Sequence, residues 1–360
     1  MKIVDITTGR IAIPLKKPFK TALRTVDAID DVIVKITADN GMIGYGEAAP
    51  TAVITGDTTA SISYAVENII GKQLVGMEIE NIEAIMERLD ACMVKNTSAK
   101  AAVDIAVYDL FGQLYGAPLF RLWGGYRNEL RTDITISVNE PEQMVRDSVQ
   151  AVELGYDTLK IKVGKDSQKD IERIKAIRKA IGNDVALRID ANQGWKPKEA
   201  VRTLRKMEDE GLQIELIEQP VVAHDIEGLK HVTDNVDIPV MADEGMFGAL
   251  DALKIMQIRA ADLVNIKLMK TGGIHNALKI CALAEVNGIE CMMGCMLEGK
   301  ISVTAATHLA AAKRIITKID LDGPSLCSED PIPGGADFKE YQIKIGEAPG
   351  FGFKEIRGFM

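Results

Sequence analysis

Apolar residues change their spacing once along this chain of 360 residues, near Gly124-Gly125. Before that break, strand-like stretches come first, at residues 3–13 and 28–37, and Asp39-Asn40-Gly41 is a hairpin signal leading into Met42-Ile43-Gly44-Tyr45-Gly46. Helical periodicity follows at 58–70, 81–93 and 98–114, and Gly116-Ala117-Pro118 ends the last of these. Strands followed by helices predict an α+β capping unit over residues 1–123. Two connecting segments, 17–24 and 48–57, mix apolar with polar residues and suit lids over a ligand.

After the break the pattern alternates. Short apolar, β-branched strands are predicted at 133–137, 158–163, 186–191, 214–219, 239–244, 263–268, 290–294 and 315–321, with an amphipathic helix after each of the first seven. Eight such strands close a parallel barrel, so residues 124–322 read as a modified TIM barrel, (β/α)7β. The eighth strand runs into Gly323-Pro324 and a loop-rich segment, 323–360, expected to pack back on the capping unit.

Composition narrows the class. A content of 47% hydrophobic and 26% charged residues is that of a folded globular chain, and a net charge of -9 argues against nucleic acid as a partner. The five cysteines are odd in number and lack metal-ligand spacing, which points to a reducing compartment. The amino terminus shows no export signal, and no apolar run reaches the roughly 18 residues of a membrane span. A cytoplasmic protein, expected as a homo-oligomer, follows.

The chemistry lies at the strand ends. From Lys162 to Asp190, Glu218, Asp243 and Lys267 the intervals are 28, 28, 25 and 24 residues, about one strand plus one helix each. Regular spacing of this kind gathers one ionisable residue per strand at the carboxyl mouth of a barrel. Lys160 and Lys162 share a strand face; alone, a Lys-x-Lys strand reads as a solvated edge, but among apolar strands at this spacing both point inward. Burial or a neighbouring cation is expected to lower the pKa of such a lysine and make it a base near neutral pH.

Asp190, Glu218 and Asp243 fall on three consecutive strands, whose ends lie about 5 Å apart. Three carboxylates so close repel, and a divalent cation resolves the conflict. An all-oxygen set without histidine or cysteine fits Mg²⁺, one per subunit, with Mn²⁺ as the alternative; the structural alternative is a network with barrel arginines or lysines. Lys267 lies across the trio from Lys162. Two lysines flanking a metal site suit removal of a proton next to a carboxylate on one face and its return on the other. His224, His231, His275 and His308 fall in predicted helices or loops, and the dinucleotide, zinc-protease and serine-hydrolase signatures are absent.

These residues resemble the enolase superfamily, in its muconate-lactonising-enzyme subgroup, over nearly the whole chain. A lysine or histidine base beside Mg²⁺ is an established trait of that superfamily. The subgroup pattern is met by Lys160 and Lys162 on the second strand, Asp190, Glu218 and Asp243 on the third to fifth, and Lys267 on the sixth. Within it the sequence looks most like dipeptide epimerases of the L-Ala-D/L-Glu type, which carry Asp-x-Asp at the end of the eighth strand; Asp320-Leu321-Asp322 stands there. Read alone, that pair is a turn or helix cap.

The resemblance implies catalysis by Lys162 and Lys267, and substrate binding by Arg24, Thr135, Lys160, Met296, Asp320 and Asp322. Asn192 and Glu244 would support the metal ligands. It implies 1,1-proton transfer at the α-carbon of the carboxyl-terminal residue of a dipeptide. Arg24 argues for a glutamate side chain, whereas Cys291-Met292-Met293-Gly294-Cys295-Met296-Leu297-Glu298 reads as an apolar, deformable lining for bulkier groups. o-Succinylbenzoate synthase, N-acylamino acid racemase and muconate cycloisomerase activities share the lysines and metal. A non-catalytic binding protein on this scaffold is the alternative of another class.

Overall fold

The computed structural model describes residues 1–21 and 25–356. The chain opens with an antiparallel sheet in the order β1 (Ile3–Lys20), β2 (Thr25–Ala38), β3 (Ile43–Ala48). At the predicted hairpin, Gly41 adopts φ 83° and its N–H donates to Ala38 O at 2.9 Å. The first predicted helix is Thr59–Ala65, capped by the Thr58 side chain, and it continues through a π-type turn, Val66–Ile70, to Leu74. Ile82–Ala91 and Thr97–Leu114 follow. The last is buried along most of its length and lies directly on β3. The contact is so close that a Cβ on Gly46 would stand 1.8 Å from Ala102 O, and one on Gly44 2.2 Å from Ala106 O.

A short strand, β4 (Glu129–Arg131), leads into the barrel. Its walls are β5 (Ile134–Ile136), β6 (Thr158–Lys162), β7 (Ala186–Asp190), β8 (Ile214–Glu218), β9 (Val240–Ala242), β10 (Leu263–Ile266), β11 (Glu290–Gly294) and β12 (Ile316–Asp320). Each lies within two residues of its predicted bounds. They run parallel in chain order, with seven helical crossovers from Pro141–Glu153 to Lys300–Ala312. Isoleucine, leucine and valine fill the layer between strands and helices, which gives the (β/α)7β architecture with its amino-terminal cap.

The seam between β12 and β5 closes by separate bonds. Asp133 N donates to Ile319 O at 3.3 Å, and Leu321 N donates to Thr132 Oγ1 at 2.8 Å. From β7, Arg188 donates to Asp133 Oδ2 at 2.8 Å and Ile319 O at 3.1 Å. A buried guanidinium thereby ties the two seam strands, its charge offset by Asp133 and Glu215.

Of the two segments expected as loops, the first differs in place and the second is a loop. Residues 17–20 extend β1, past an irregularity after Pro14, with Phe19 opposite Val26 and Lys20 opposite Thr25. The barrel holds them there, because Lys20 N donates to Ser137 Oγ and Val138 N to Lys20 O. The remainder of that segment, Ala22 to Arg24, lies outside the described residues. After Ala48 the chain turns tightly, with Ile54 N and Thr55 N both donating to Thr51 O at 2.9 Å.

In the closing segment, β13 (Asp337–Lys339) pairs with β14 (Gln342–Lys344), and β14 pairs with β4 rather than with the amino-terminal sheet. The residues beyond return to the cap: Leu119 N donates to Gly350 O, Phe351 N to the buried Asp109 carboxylate and Ile356 N to Tyr45 Oη. Among the described residues no helix is long and apolar enough to cross a membrane. Gly46→Ala drives a methyl into the Thr97–Leu114 backbone and is expected to cost about 1–3 kcal/mol. A urea melt with an unchanged midpoint contradicts this packing.

Candidate active site

Each barrel strand alternates its side chains, so the last inward residue stands at the mouth. Lys160 and Lys162 come from β6, Asp190 ends β7, Glu218 ends β8, and Asp243 and Lys267 follow β9 and β10 by one residue. Asp320 ends β12. Together they floor a cleft whose sides are Thr135, Asn192, Cys295, Met296, Leu297, Asp322 and Leu326 from the barrel. Phe19, Thr21, Val53 and Ile54 reach over it from the cap. Every sequence-predicted site residue except Arg24 therefore has a described position, and all of these but the buried carboxylates Asp190, Glu218, Asp243 and Glu244 line the cleft directly. Arg24 lies outside the described residues.

The charged groups are interleaved. Lys160 Nζ stands 2.6 Å from Glu218 Oε2, 2.7 Å from Asp320 Oδ2 and 3.2 Å from Asp190 Oδ2. Lys162 Nζ is 2.6 Å from Asp190 Oδ2. On the far wall, Lys267 Nζ lies 2.8 Å from Asp243 Oδ2 and 3.8 Å from Glu218 Oε1. β6 and β10 are four strands apart in an eight-stranded ring, so Lys162 and Lys267 face each other across the mouth.

Burial and charge set the protonation states. Burial first, then the Asp190 charge, pushes Glu218 up to about 8. Burial likewise raises Glu244 to about 7, helped by Asp243 and Asp190. Burial also opposes ionisation of Asp243, but Lys267 and Lys270 hold its carboxyl well below the usual range. Asp320 is held at about 2, Lys160 and Lys267 outweighing its burial, while burial and the charge of Asp320 push Asp322 up to about 6.

One expectation from sequence is corrected here. Burial does work against charge on Lys160 and Lys267, yet the facing carboxylates win and both ammonium groups are held above the ordinary lysine value. Among the described residues, no three carboxylates, histidines or cysteines close to metal-ligand spacing, since ammonium nitrogens stand among the oxygens. The donor set still suits a hard divalent ion. It is buried and all oxygen, and the charges of Asp190 and Asp243 oppose ionisation of the neighbouring Glu218, a crowding of acids that a cation relieves.

Asn192 has its N–H on Asp190 Oδ1 at 2.8 Å, and its amide nitrogen is 3.2 Å from Glu244 Oε1. This follows from left-handed backbone at Asn192 and Gln193, φ 40° and 68°, which turns the chain back over the end of β7. Asp322 does not cap the short helix after it; its Oδ2 accepts from Thr135 N at 2.7 Å.

Sequence reasoning missed three supporting side chains. Lys270 is fully buried and donates to Asp243 Oδ1, to Asp243 O at 2.5 Å and to Asn265 O at 3.0 Å. Gln219 accepts from Asp243 N and Gly245 N and donates to Val221 O, splicing the ends of β8 and β9 beyond their ladder. Asn265 donates to Glu218 Oε1 at 2.8 Å. Only Lys270 left a readable trace: a lysine three residues after Lys267, one helical turn away, before Gly272-Gly273.

The chain matches the model of the mandelate racemase / muconate lactonizing enzyme N-terminal domain over residues 3–124 and that of the enolase C-terminal domain-like family over 143–355. It is 65% identical to an L-Ala-D/L-Glu epimerase of Clostridium acetobutylicum, across 99% of both chains. A substrate-liganded L-Ala-D/L-Glu epimerase from Bacillus subtilis superposes with a TM-score of 0.97 at 52% identity, covering 98% of this chain and 99% of that one. A dipeptide epimerase from Enterococcus faecalis, solved with Mg and L-Leu-L-Tyr, gives 0.96 at 46% identity, covering 99% and 100%.

Lys270→Met keeps length and removes the charge, leaving buried acceptors on Asp243 and Asn265 without their donor. Breaking a buried pair in this way is expected to cost roughly 3–5 kcal/mol. A denaturation midpoint equal to that of the parent protein contradicts the role given to Lys270.

Proposed function

Because the chain belongs to the mandelate racemase / muconate lactonizing enzyme family of the enolase superfamily, we propose that its cleft epimerises dipeptides by a two-lysine proton transfer. The protein is a dipeptide epimerase, an isomerase that uses magnesium. The observation carrying the mechanism is the opposition of Lys162 and Lys267 across one cleft, four strands apart on either route round the barrel.

The reading assigns Asp190, Glu218 and Asp243 as the residues that would hold the ion. Bound there, magnesium supplies fixed positive charge that offsets the charge growing on the substrate carboxylate. The protein's own residues carry the proton. Lys162 takes the α-proton of the carboxyl-terminal residue from one face, the α-carbon flattens as an enediolate, and Lys267 donates a proton to the opposite face; the reverse direction exchanges the roles. Lys160, between Glu218 and Asp320, keeps Lys162 from straying and meets the substrate carboxylate.

Asp320 and Asp322 are read as the partners of the dipeptide α-ammonium. Two carboxylates at that wall favour a free amine over an N-acyl group or a second carboxylate, which separates this reading from racemisation of N-acylated amino acids. Thr135 and Met296 flank the bound chain, and Arg24 is read as the partner of an acidic side chain. A homo-oligomer in the cytoplasm completes the reading; the five free cysteines support that compartment.

Lys162→Ala and Lys267→Ala are each expected to lower epimerisation by at least 10²–10⁴-fold. Each retains exchange of the α-proton with deuterated water from one substrate epimer only. Full epimerase activity in either variant sinks the two-base assignment. Exhaustive chelation is expected to abolish turnover of Ala-Glu, and Mg²⁺ to restore it; a rate indifferent to chelator refutes the ligand trio. Mass spectra of a set of L,L-dipeptides incubated in deuterated water identify the preferred side chains.

A further inference from the structure

Lys267 opens a tight turn that the cap also holds. Lys270 N and Thr271 N donate to Lys267 O at 2.9 and 3.1 Å, and Gly272 N and Gly273 N both donate to Leu268 O, at 3.0 and 3.1 Å. Thr271 Oγ1 donates to Gly273 O at 2.8 Å. Gly272 and Gly273 have φ 78° and 120°, backbone that residues with a side chain rarely adopt, and they stop the turn before the helix Ile274–Asn287 begins. The stretch from Lys267 to Gly273 is therefore one hydrogen-bonded unit, with a base at its first residue and a helix start just past its last.

That helix has no side chain of its own to receive its first N–H groups, because Gly273 stands at the capping position. A residue of the cap fills the role. Ile274 N donates to Asp104 Oδ1 at 2.7 Å and His275 N to Asp104 Oδ2 at 3.1 Å, so both oxygens of a carboxylate 170 residues away in sequence grip the junction. The contact is close enough that a Cβ on Gly273 would stand 2.3 Å from Asp104 Cγ. Asp104 is buried and makes no ion pair among the described residues; its charge is met by the two amides and the positive end of the helix they begin.

The helix that carries Asp104 is itself laid tightly on β3. Ala102 O and Ala106 O lie where Cβ atoms on Gly46 and Gly44 would be, and Asp104 is about 200° round the helix from Ala102, on the face away from that sheet. Tyr108 Oη stands 3.4 Å from His275 Nδ1, and Asn276 donates to Asp90 Oδ1 at 3.1 Å. Those contacts lie beyond the junction, whereas Asp104 meets the backbone at it. Lys162 is held differently: Val163 N donates to Asp190 O and Gly164 N to Asp170 Oδ2, both at 2.9 Å. The two opposed lysines are thus braced from different bodies, Lys162 by barrel groups and Lys267 by a residue of the cap.

We propose that Asp104 is a positioning residue for Lys267: it locks the Lys267–Gly273 turn to the capping helix and so sets the reach of that lysine toward the substrate α-carbon, without acting on Lys162. The inference rests on the two-lysine reading of the cleft. A misplacement of about 1 Å at a reacting group can cost on the order of a hundredfold in rate, so a loosened turn shows itself on one face of the α-carbon.

Initial exchange of the α-proton with deuterated water, followed by mass for L-Ala-L-Glu and L-Ala-D-Glu at saturating Mg²⁺, reads the two lysines separately. Lys162→Ala and Lys267→Ala show which epimer each lysine serves. Asp104→Ala is expected to slow exchange of the epimer served by Lys267 by on the order of ten- to a hundredfold, and to leave the other within about twofold. Asp104→Asn keeps one acceptor oxygen and is expected to give a smaller loss in the same epimer. A loss shared equally by both epimers, or no loss in either, overturns the assignment, because a general weakening of the fold does not choose a face.

Amide hydrogen exchange supplies the readout that needs no substrate. In Asp104→Asn the loss of protection is expected to centre on residues 267–275; protection there equal to that of the parent overturns the grip. If neither variant folds, the parent decides: protected Ile274 and His275 amides support the grip, and amides exchanging as freely as those of an uncapped helix start overturn it. If the parent exchanges neither epimer, the two-lysine reading fails, while the amide data still decide whether Asp104 holds the turn.

Discussion

Charge that cannot reach water governs the mouth of this barrel. Lys160, Lys162, Lys267 and Lys270 are buried with Asp190, Glu218, Asp243 and Asp320, and each nitrogen touches at least one of those carboxylates. Leaving one partner out strands its neighbour in a medium that solvates it poorly. Most of the surrounding architecture follows from that requirement. Gln219 accepts the backbone N–H of Asp243, Asn265 donates to Glu218, the left-handed turn at Asn192 brings an N–H onto Asp190, and the apolar helices outside the strands keep water from relaxing the arrangement.

The cap answers a different requirement. A barrel mouth alone is open, and a small substrate needs walls on more than one side to be oriented. Phe19, Thr21, Val53 and Ile54 supply the missing wall, and the strand that carries Phe19 is bonded to the barrel through Ser137, Val138 and the segment after β12. The long helix on β3 makes this cap stiff, since Gly44 and Gly46 let the two backbones meet without intervening side chains.

Much of this was legible in the sequence, for identifiable reasons. The barrel strands could be read because each is short, apolar and β-branched between helices of ordinary length, and the site could be read because Lys162, Asp190, Glu218, Asp243 and Lys267 recur at that same interval. What stayed hidden depends on long-range contacts. Residues 17–20 look like a loop until Ser137 and Val138 pair with them, and Gln219 looks like any residue after a strand until Asp243 and Gly245 meet its side chain. The lysine protonation went the other way from expectation because burial alone predicts a lowered pKa, whereas the facing carboxylates reverse it. Gln342–Lys344 could not be matched to β4 from pattern, since three-residue strands carry almost no periodicity.

The placement of Asp320 bears on how the chain comes off the ribosome. Lys160 is made first and its partner on β12 comes 160 residues later. Over that interval, then, a lysine destined for the interior has no carboxylate from the closing strand, and Arg188 likewise waits for the carbonyl of Ile319. The nascent barrel is therefore an open, hydrated trough rather than a dry vessel. Its last wall supplies, in a single step, the seam bonds and the final counter-charge, so closure of the scaffold and completion of the active site are one event.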